Sequence, residues 1–195
     1  MDPRVLRGKK VHSRSSNTHP LQIAELAISG GGSIGITFCP GKCGPSLFGH
    51  TWERDLDADL DVIQRWGAQV IVTLVEAFEL EALKVADLGE RVQMRGMRWL
   101  HMPIVDVSVP SAAFERRWRE EVPGVLATLE QGGKVLVHCK GGLGRAGMVA
   151  ALLLVETGDR PEAAVRKVRE VRRGAIETPA QEQYVLGYQP AGDGL

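Results

Sequence analysis

Apolar residues in this chain come in short runs, and the runs alternate between strand-like and helix-like spacing. Residues 70–75 are a continuous, mostly β-branched run, the pattern of a strand covered on both faces. Residues 23–28 and 34–38 are shorter, separated by Ser29-Gly30-Gly31-Gly32, and predict edge strands with a turn between them. Residues 99–104 predict a strand ended by Pro103 and followed by a loop over 106–110, and residues 134–137 predict another. Between the strands the period lengthens. Leu56, Leu60, Ile63 and Trp66 share one helical face, and Asp55, Asp57, Asp59 and Asp61 crowd its first turns as a solvated acidic face. Further helices are predicted over 79–95 with an interruption near Gly89, over 112–131 with a break or kink at Pro123-Gly124, and over 148–155. Asp159 and Pro161 predict an N-cap and first turn for a helix with Ala164, Val165, Val168 and Val171 inward. Its outer face would carry Arg166, Lys167, Arg169, Arg172 and Arg173. A last short helix starts near Thr178-Pro179 and runs through Gln181, Tyr184 and Val185.

Strands alternating with helices predict an α/β fold: a mostly parallel, twisted sheet flanked by helices on both faces. A chain of 195 residues suits one domain, placed at 21–190. Residues 1–20 are basic, Ser/Asn-rich and without apolar period, and read as a flexible tail. Formal net charge is zero, so nothing global points to nucleic acid or an anionic membrane surface. No apolar stretch approaches the ~20 residues that span a bilayer, and the polar N-terminus carries no secretory pattern. Three cysteines make no disulfide framework, so a reducing cytoplasm is expected, with Cys139 free. Cys39 and Cys43, in the stretch FCPGKCGP, read as loop or half-buried thiols. A redox pair or half a metal site would be the sharper reading, but no second Cys/His pair completes it.

The chemistry concentrates in VLVHCKGGLGRAG, residues 135–147. An apolar strand runs into His138-Cys139, a glycine-rich loop follows, and a helix starts near Arg145. Such a turn aims backbone N–H groups and the positive end of a helix dipole at one point. A thiol at Cys139 is expected to ionise easily there, and a phosphate to bind beside it. The amides from Lys140 through Gly141, Gly142, Leu143 and Gly144 to Arg145 can donate to phosphate oxygens, with the glycines leaving room for close approach. Arg145 can grip two equatorial oxygens as a planar fork. Cys139 would attack phosphorus in line. Asp106, in HMPIVDVSVP, would protonate the leaving oxygen and then activate water against the phosphocysteine. His138 is expected to face the interior and hydrogen-bond the loop, and Lys140 to be solvated or to attract anions. The scheme needs no cofactor and no metal.

With these residues placed, the chain resembles cysteine-dependent protein phosphatases of the dual-specificity class. More narrowly it resembles the cyclin-dependent-kinase-associated phosphatase (inhibitor 3) group and its bacterial relatives. The resemblance covers roughly residues 34–188 and rests on PGK at 40–42, HMPIVD, HCKGGLGRAG and RRGAIETPAQEQY. It implies Cys139 as nucleophile, Arg145 as phosphate clamp and Asp106 as acid. It also places Gln181 near the attacking water, with packing as the other reading. One departure stands out. The position after the signature arginine, usually Ser or Thr, is Ala146. Without a hydroxyl to hydrogen-bond the sulfur, breakdown of the phosphoenzyme is expected to be slow.

The implied function is a phosphomonoester hydrolase acting on phosphotyrosine, and on phosphoserine/threonine in a shallow site. Phosphate, sulfate, vanadate or tungstate is expected to bind in the loop. The competing readings are a phosphatase of an inositol lipid, sugar or nucleotide, favoured by Lys140, and a module that holds phosphate without turnover.

Overall fold

The computed structural model describes residues 13–46 and 49–190. The strands are β1 (Ser13–Ser15), β2 (Ala24–Ala27), β3 (Ser33–Phe38), β4 (Cys43–Pro45), β5 (Thr51–Glu53), β6 (Ala68–Thr73), β7 (Arg98–His101) and β8 (Lys134–Cys139). The helices are α1 (Leu56–Trp66), α2 (Ala77–Ala82), α3 (Leu88–Met94), α4 (Ala112–Glu130), α5 (Gly144–Glu156), α6 (Pro161–Val171) and α7 (Pro179–Leu186). Five strands form the main sheet in the order β2-β3-β8-β6-β7, parallel throughout except for the β2–β3 hairpin. The fold is the α/β arrangement expected, with helices flanking a mostly parallel sheet.

The β-branched run becomes β6, where Val70, Ile71 and Val72 are buried in the sheet between β7 and β8. β8 is central because Val135, Leu136 and Val137 meet apolar neighbours on both sides. β2 lies at the edge as expected, whereas β3, also expected at an edge, lies inside. α5 packs against β3 and β8, and α6 and α7 pack around it. Its residues are buried from Gly144 to Val155, so the helix behind the loop is a core element and cannot shift freely.

Several expectations need correction. A second, three-stranded sheet in the order β1-β5-β4 lies outside any apolar pattern. It takes in Ser13–Ser15, so the part of the expected tail from residue 13 onward is ordered against the body; residues 1–12 lie outside the described residues. Backbone pairing and side-chain bonds, not apolar burial, hold that segment. Ser16 Oγ donates to Asp59 Oδ1 at 2.8 Å, and His19 O accepts from Arg54 Nη1 at 2.8 Å. The interruption in the 79–95 helix falls between α2 and α3, and Gly89 sits inside α3. A Cβ there would lie 2.4 Å from the Trp99 ring, so close packing explains this glycine. α4 runs unbroken through Pro123, held by the buried Val122, Val125 and Leu129. Arg160, not Asp159, is the N-cap of α6, and Asp159 binds Lys167 instead. Val171 is exposed at the end of that helix rather than inward.

The acidic run at 55–61 is not uniformly solvated. Asp55 caps α1 through the Ala58 amide, and Asp57 and Asp61 pair with arginines at the surface. Asp59 is fully buried and forms a two-toothed pair with Arg54, both bonds 2.7 Å. It also accepts the Gly41 amide at 2.9 Å, which fixes the turn after β3. Cys39, at the head of that turn, is a core residue rather than a loop thiol, whereas Cys43 is half-buried.

Candidate active site

β8 ends at Cys139 and α5 begins at Gly144, so the loop between them is only four residues long. Gly142 has φ +69°, and a Cβ there would sit 2.5 Å from the backbone of Thr37 on β3. Only glycine lets the loop turn that tightly against the sheet. The turn brings the Gly142 amide to 3.3 Å from Cys139 Sγ. The sulfur is nearly enclosed, in front of the positive end of a thirteen-residue helix. A Cβ at Gly144 would approach the carboxylate end of Glu177 to 2.6 Å, so a larger residue there would displace that side chain. Gly141 faces open space and has no such constraint.

Arg145, on the first turn of α5, is 1 % exposed. A guanidinium buried this deeply needs a partner, and Glu79 supplies it. Nη1 donates to Glu79 Oε2 at 2.6 Å and Nη2 to Oε1 at 3.0 Å. Nη1 also reaches the Ile104 carbonyl at 3.0 Å, and Nη2 lies 2.9 Å from Asp106 Oδ1. Burial opposes the arginine's charge, but the Glu79 bonds and the nearby Cys139 sulfur outweigh it and raise its pKa. Burial likewise pushes the Glu79 carboxyl up, and is overcome by Arg145 and the Glu76 amide, so it stays ionised. Among the described residues, Arg145 Nε is a buried donor without a partner. The outer edge of the fork is therefore spent on Glu79, and Nε remains for an incoming oxygen.

Asp106 follows β7 on the loop that precedes α4, with its carboxylate half exposed. Val107, next to it, has φ +61°, a costly conformation for a β-branched residue. In that conformation the Val107 amide donates to Asp106 Oδ1 at 3.1 Å. The loop thus presents the carboxylate beside Arg145.

His138 is fully buried, as expected. The side-chain bond expected to the loop goes instead sideways to Thr73 Oγ1 on β6, at 2.7 Å, and Thr73 Oγ1 accepts from Trp99 Nε1 at 2.8 Å. The strand's pleat sends His138 and Cys139 to opposite faces, so the ring braces the sheet beneath the sulfur. Burial pushes its pKa down to about 3, which keeps it neutral. Lys140 is exposed, and Ala146 is fully buried. Gln181 is fully buried with both ends of its amide used. Oε1 accepts from the Glu177 amide at 3.0 Å, and Nε2 donates to the Ser108 carbonyl at 3.1 Å. Gln181 therefore ties the Asp106 loop to the segment before α7.

Four site residues escaped the sequence reading. Glu79 sits at the start of α2, where the helix's own N-terminal amide at Glu76 bonds it at 2.9 Å. Its signal was available: a buried Arg145 demands a carboxylate from elsewhere. Arg172, expected on a solvated face, reaches back to the loop carbonyls of Gly142 (3.0 Å) and Gly141 (3.2 Å). Lys42, the last residue of the PGK stretch, donates to the Lys140 carbonyl at 3.1 Å. Glu177 Oε2 accepts the Gly144 amide at 2.8 Å, so that donor is already in use.

Comparison with known proteins places this arrangement. The family described as "Polymorphic toxin system, DSP-PTPase phosphatase" matches residues 48–159. Human cyclin-dependent kinase inhibitor 3 is 34% identical over 170 residues, covering 85% of this chain and 77% of that protein. Bovine protein tyrosine phosphatase type IVA 3 is 29% identical over 135 residues, covering 69% of this chain and 72% of its own. Among solved structures, kinase associated phosphatase carrying a serine in place of its catalytic-site cysteine superposes with a TM-score of 0.73. It is 29% identical and is covered over 92% of its length, against 85% of this chain. Family match, relatives and fold agree with what the thiol, the loop and the buried arginine suggested from below: this chain belongs to the cysteine-based dual-specificity and protein tyrosine phosphatases.

Proposed function

We propose that Cys139 is the nucleophile, Arg145 the phosphate clamp and Asp106 the general acid of a metal-independent protein phosphatase. The observation that carries this assignment is the unpartnered Nε of Arg145, a buried donor just across a four-residue loop from an enclosed sulfur. A phosphate oxygen satisfies that donor, and the electrostatic gain grows as charge builds on the equatorial oxygens. In the first step the Cys139 thiolate attacks phosphorus and the ester P–O bond breaks. Asp106, displaced from Arg145 by the phosphate, gives its proton to the departing oxygen. In the second step water attacks phosphorus, the P–S bond breaks and the thiolate returns. The water's proton passes to the Asp106 carboxylate. The substrate is a phosphorylated protein, with phosphotyrosine, phosphoserine and phosphothreonine all able to enter a site that opens at the surface. Three free thiols suit a reducing compartment such as the cytoplasm. Among the described residues no helix is long and apolar enough to cross a membrane.

Acid quenching during turnover of an aryl phosphate is expected to leave phosphate on the peptide that carries Cys139. Phosphate recovered only free, under conditions where a burst of phenol is seen, would overturn the assignment. Running phosphotyrosine peptides, phosphoserine/threonine peptides and inositol phospholipids side by side, with chelator present and vanadate as inhibitor, then fixes the preferred ester.

Ala146 makes the second step the slow one. No hydroxyl at that position stabilises the sulfur as it leaves phosphorus, so Ala146→Ser is expected to raise kcat about tenfold. That corresponds to one hydrogen bond to a charged group, about 1.5 kcal/mol. The burst should shrink at the same time. An unchanged kcat with an unchanged burst would show that the missing hydroxyl is irrelevant to this enzyme.

A further inference from the structure

We propose that Lys42 and Arg172 are positioning residues. They hold the carbonyls of Lys140, Gly141 and Gly142 outward, so that the three amides behind them turn toward the sulfur of Cys139. The inference rests on the reading of this loop as the phosphate site.

The argument is one of peptide geometry. Among the described residues every peptide bond is trans, so each carbonyl points opposite to the N–H of the next residue. The Lys140 carbonyl takes Lys42 Nζ at 3.1 Å and also the Cys39 amide at 3.4 Å. The Gly141 and Gly142 carbonyls take the Arg172 guanidinium at 3.2 and 3.0 Å. Three successive carbonyls are thus tied to cations outside the loop. The N–H groups of Gly141, Gly142 and Leu143 must then point the other way. The middle one shows where that is, because Gly142 N–H reaches Cys139 Sγ at 3.3 Å. A four-residue loop with two consecutive glycines would not keep that orientation by itself, since glycine peptides flip readily.

Neither cation is placed by chance. Lys42 is 7 % exposed, an unusual position for a lysine. Its ammonium lies 4.5 Å from the Phe38 ring centroid and 4.4 Å from that of Trp52, a cage that replaces part of its lost hydration. The turn carrying it is anchored by the Asp59 bond to the Gly41 amide. Arg172 leaves the end of α6 and lies half-buried over the loop. The two come from opposite ends of the sequence and grip consecutive peptides.

The consequence is a pH signature. Burial pushes the Lys42 ammonium down to about 8. Of the groups facing it, Cys39 and Cys139 favour its charge, while Arg54 and Arg172 oppose it. Below that value it is charged and its carbonyl bond is strong. Above it, the charge and most of the grip are lost.

Wild type, Lys42→Met, Lys42→Arg, Arg172→Gln and Cys139→Ser should be compared for kcat/KM, for tungstate affinity against pH and for melting temperature. Lys42→Met and Arg172→Gln are each expected to lower kcat/KM about 10- to 100-fold, the range for removing a group that orients a ligand from behind. Tungstate binding should weaken in step. Lys42→Arg, which stays charged, should recover most of the activity and keep its tungstate affinity above the pH at which wild type loses it. A residue that only stabilises the fold would lower the melting temperature and leave the pH dependence of tungstate binding in place. Folded Lys42→Met and Arg172→Gln proteins with wild-type kcat/KM and tungstate affinity would overturn the inference, as would a pH dependence of tungstate binding unchanged in Lys42→Arg. If Lys42→Met does not fold, Lys42→Arg and Arg172→Gln still decide. Loss of turnover in Cys139→Ser beside unaffected Lys42 and Arg172 variants would sink this inference alone. Turnover surviving in Cys139→Ser would sink the reading of the loop itself.

Discussion

Cys139→Ser is expected to abolish turnover while leaving the fold and oxyanion binding intact. The substitution replaces one enclosed atom at the end of β8, where the Gly142 amide can donate to oxygen as it does to sulfur. A serine hydroxyl without a neighbouring base is a poor nucleophile, and the ring of His138 faces Thr73 on the neighbouring strand. Loss of the nucleophile in a covalent enzyme removes on the order of 10⁴–10⁶ in rate. The cradle's other parts, Arg145 Nε and the loop amides, remain. Tungstate affinity should therefore stay within a few fold of wild type by calorimetric titration, and a phosphotyrosine peptide should be retained without hydrolysis. Activity above about one hundredth of wild type would mean that another group attacks phosphorus. The experiment also disposes of the non-catalytic alternative, because a mere binding module would show no loss at all.

The largest effect on stability is expected at Asp59. Its carboxylate accepts four hydrogen bonds, from Arg54 Nε and Nη2, the Gly41 amide and Ser16 Oγ, at 2.7–2.9 Å. Asp59→Ala leaves the fully buried Arg54 guanidinium facing a cavity, with only the His19 carbonyl bond remaining at its far end. Breaking a buried pair in this way costs about 3–5 kcal/mol, a large part of the roughly 5–15 kcal/mol that holds a domain together. For a chain of this size the melting temperature should fall by roughly 6–20 °C. Chemical denaturation followed by circular dichroism measures the loss directly. A drop below about 1 kcal/mol, the value of a surface pair, would show that water reaches the site. The damage should also reach the phosphate loop, because the same carboxylate holds the turn from which Lys42 extends.

The main sheet was legible because its strands are runs of Val, Ile and Leu long enough to declare themselves, as at β6 and β8. The small sheet was not. Its strands are three residues each, Ser13–Ser15, Cys43–Pro45 and Thr51–Glu53, and contain Gly, Pro and Ser in place of an apolar alternation. The Cys139–Arg145 loop was readable since all its chemistry is local: strand end, glycines and helix start lie within seven residues. What surrounds the loop is long-range. Glu79 lies 66 residues from Arg145, Lys42 lies 98 from the carbonyl it holds, and Arg172 lies 30 from its nearer partner. Periodicity says nothing about such pairings. It also misleads for charged residues, because Asp59 and Arg172 occupy positions that would be solvated on an isolated helix or at its end. Only the demand that a buried charge find a counter-charge could have pointed beyond the local pattern.

The bond between Glu177 and the Gly144 amide bears on what happens after hydrolysis. An oxyanion that settles on that amide must evict a carboxylate already seated there, so it exchanges one anionic acceptor for another instead of filling a vacancy. The favourable energy from that donor is only the difference between the two. Inorganic phosphate, the final product, faces the same resident competitor, and the enzyme's resistance to clogging by its own product is set partly by a side chain that takes no part in breaking a bond.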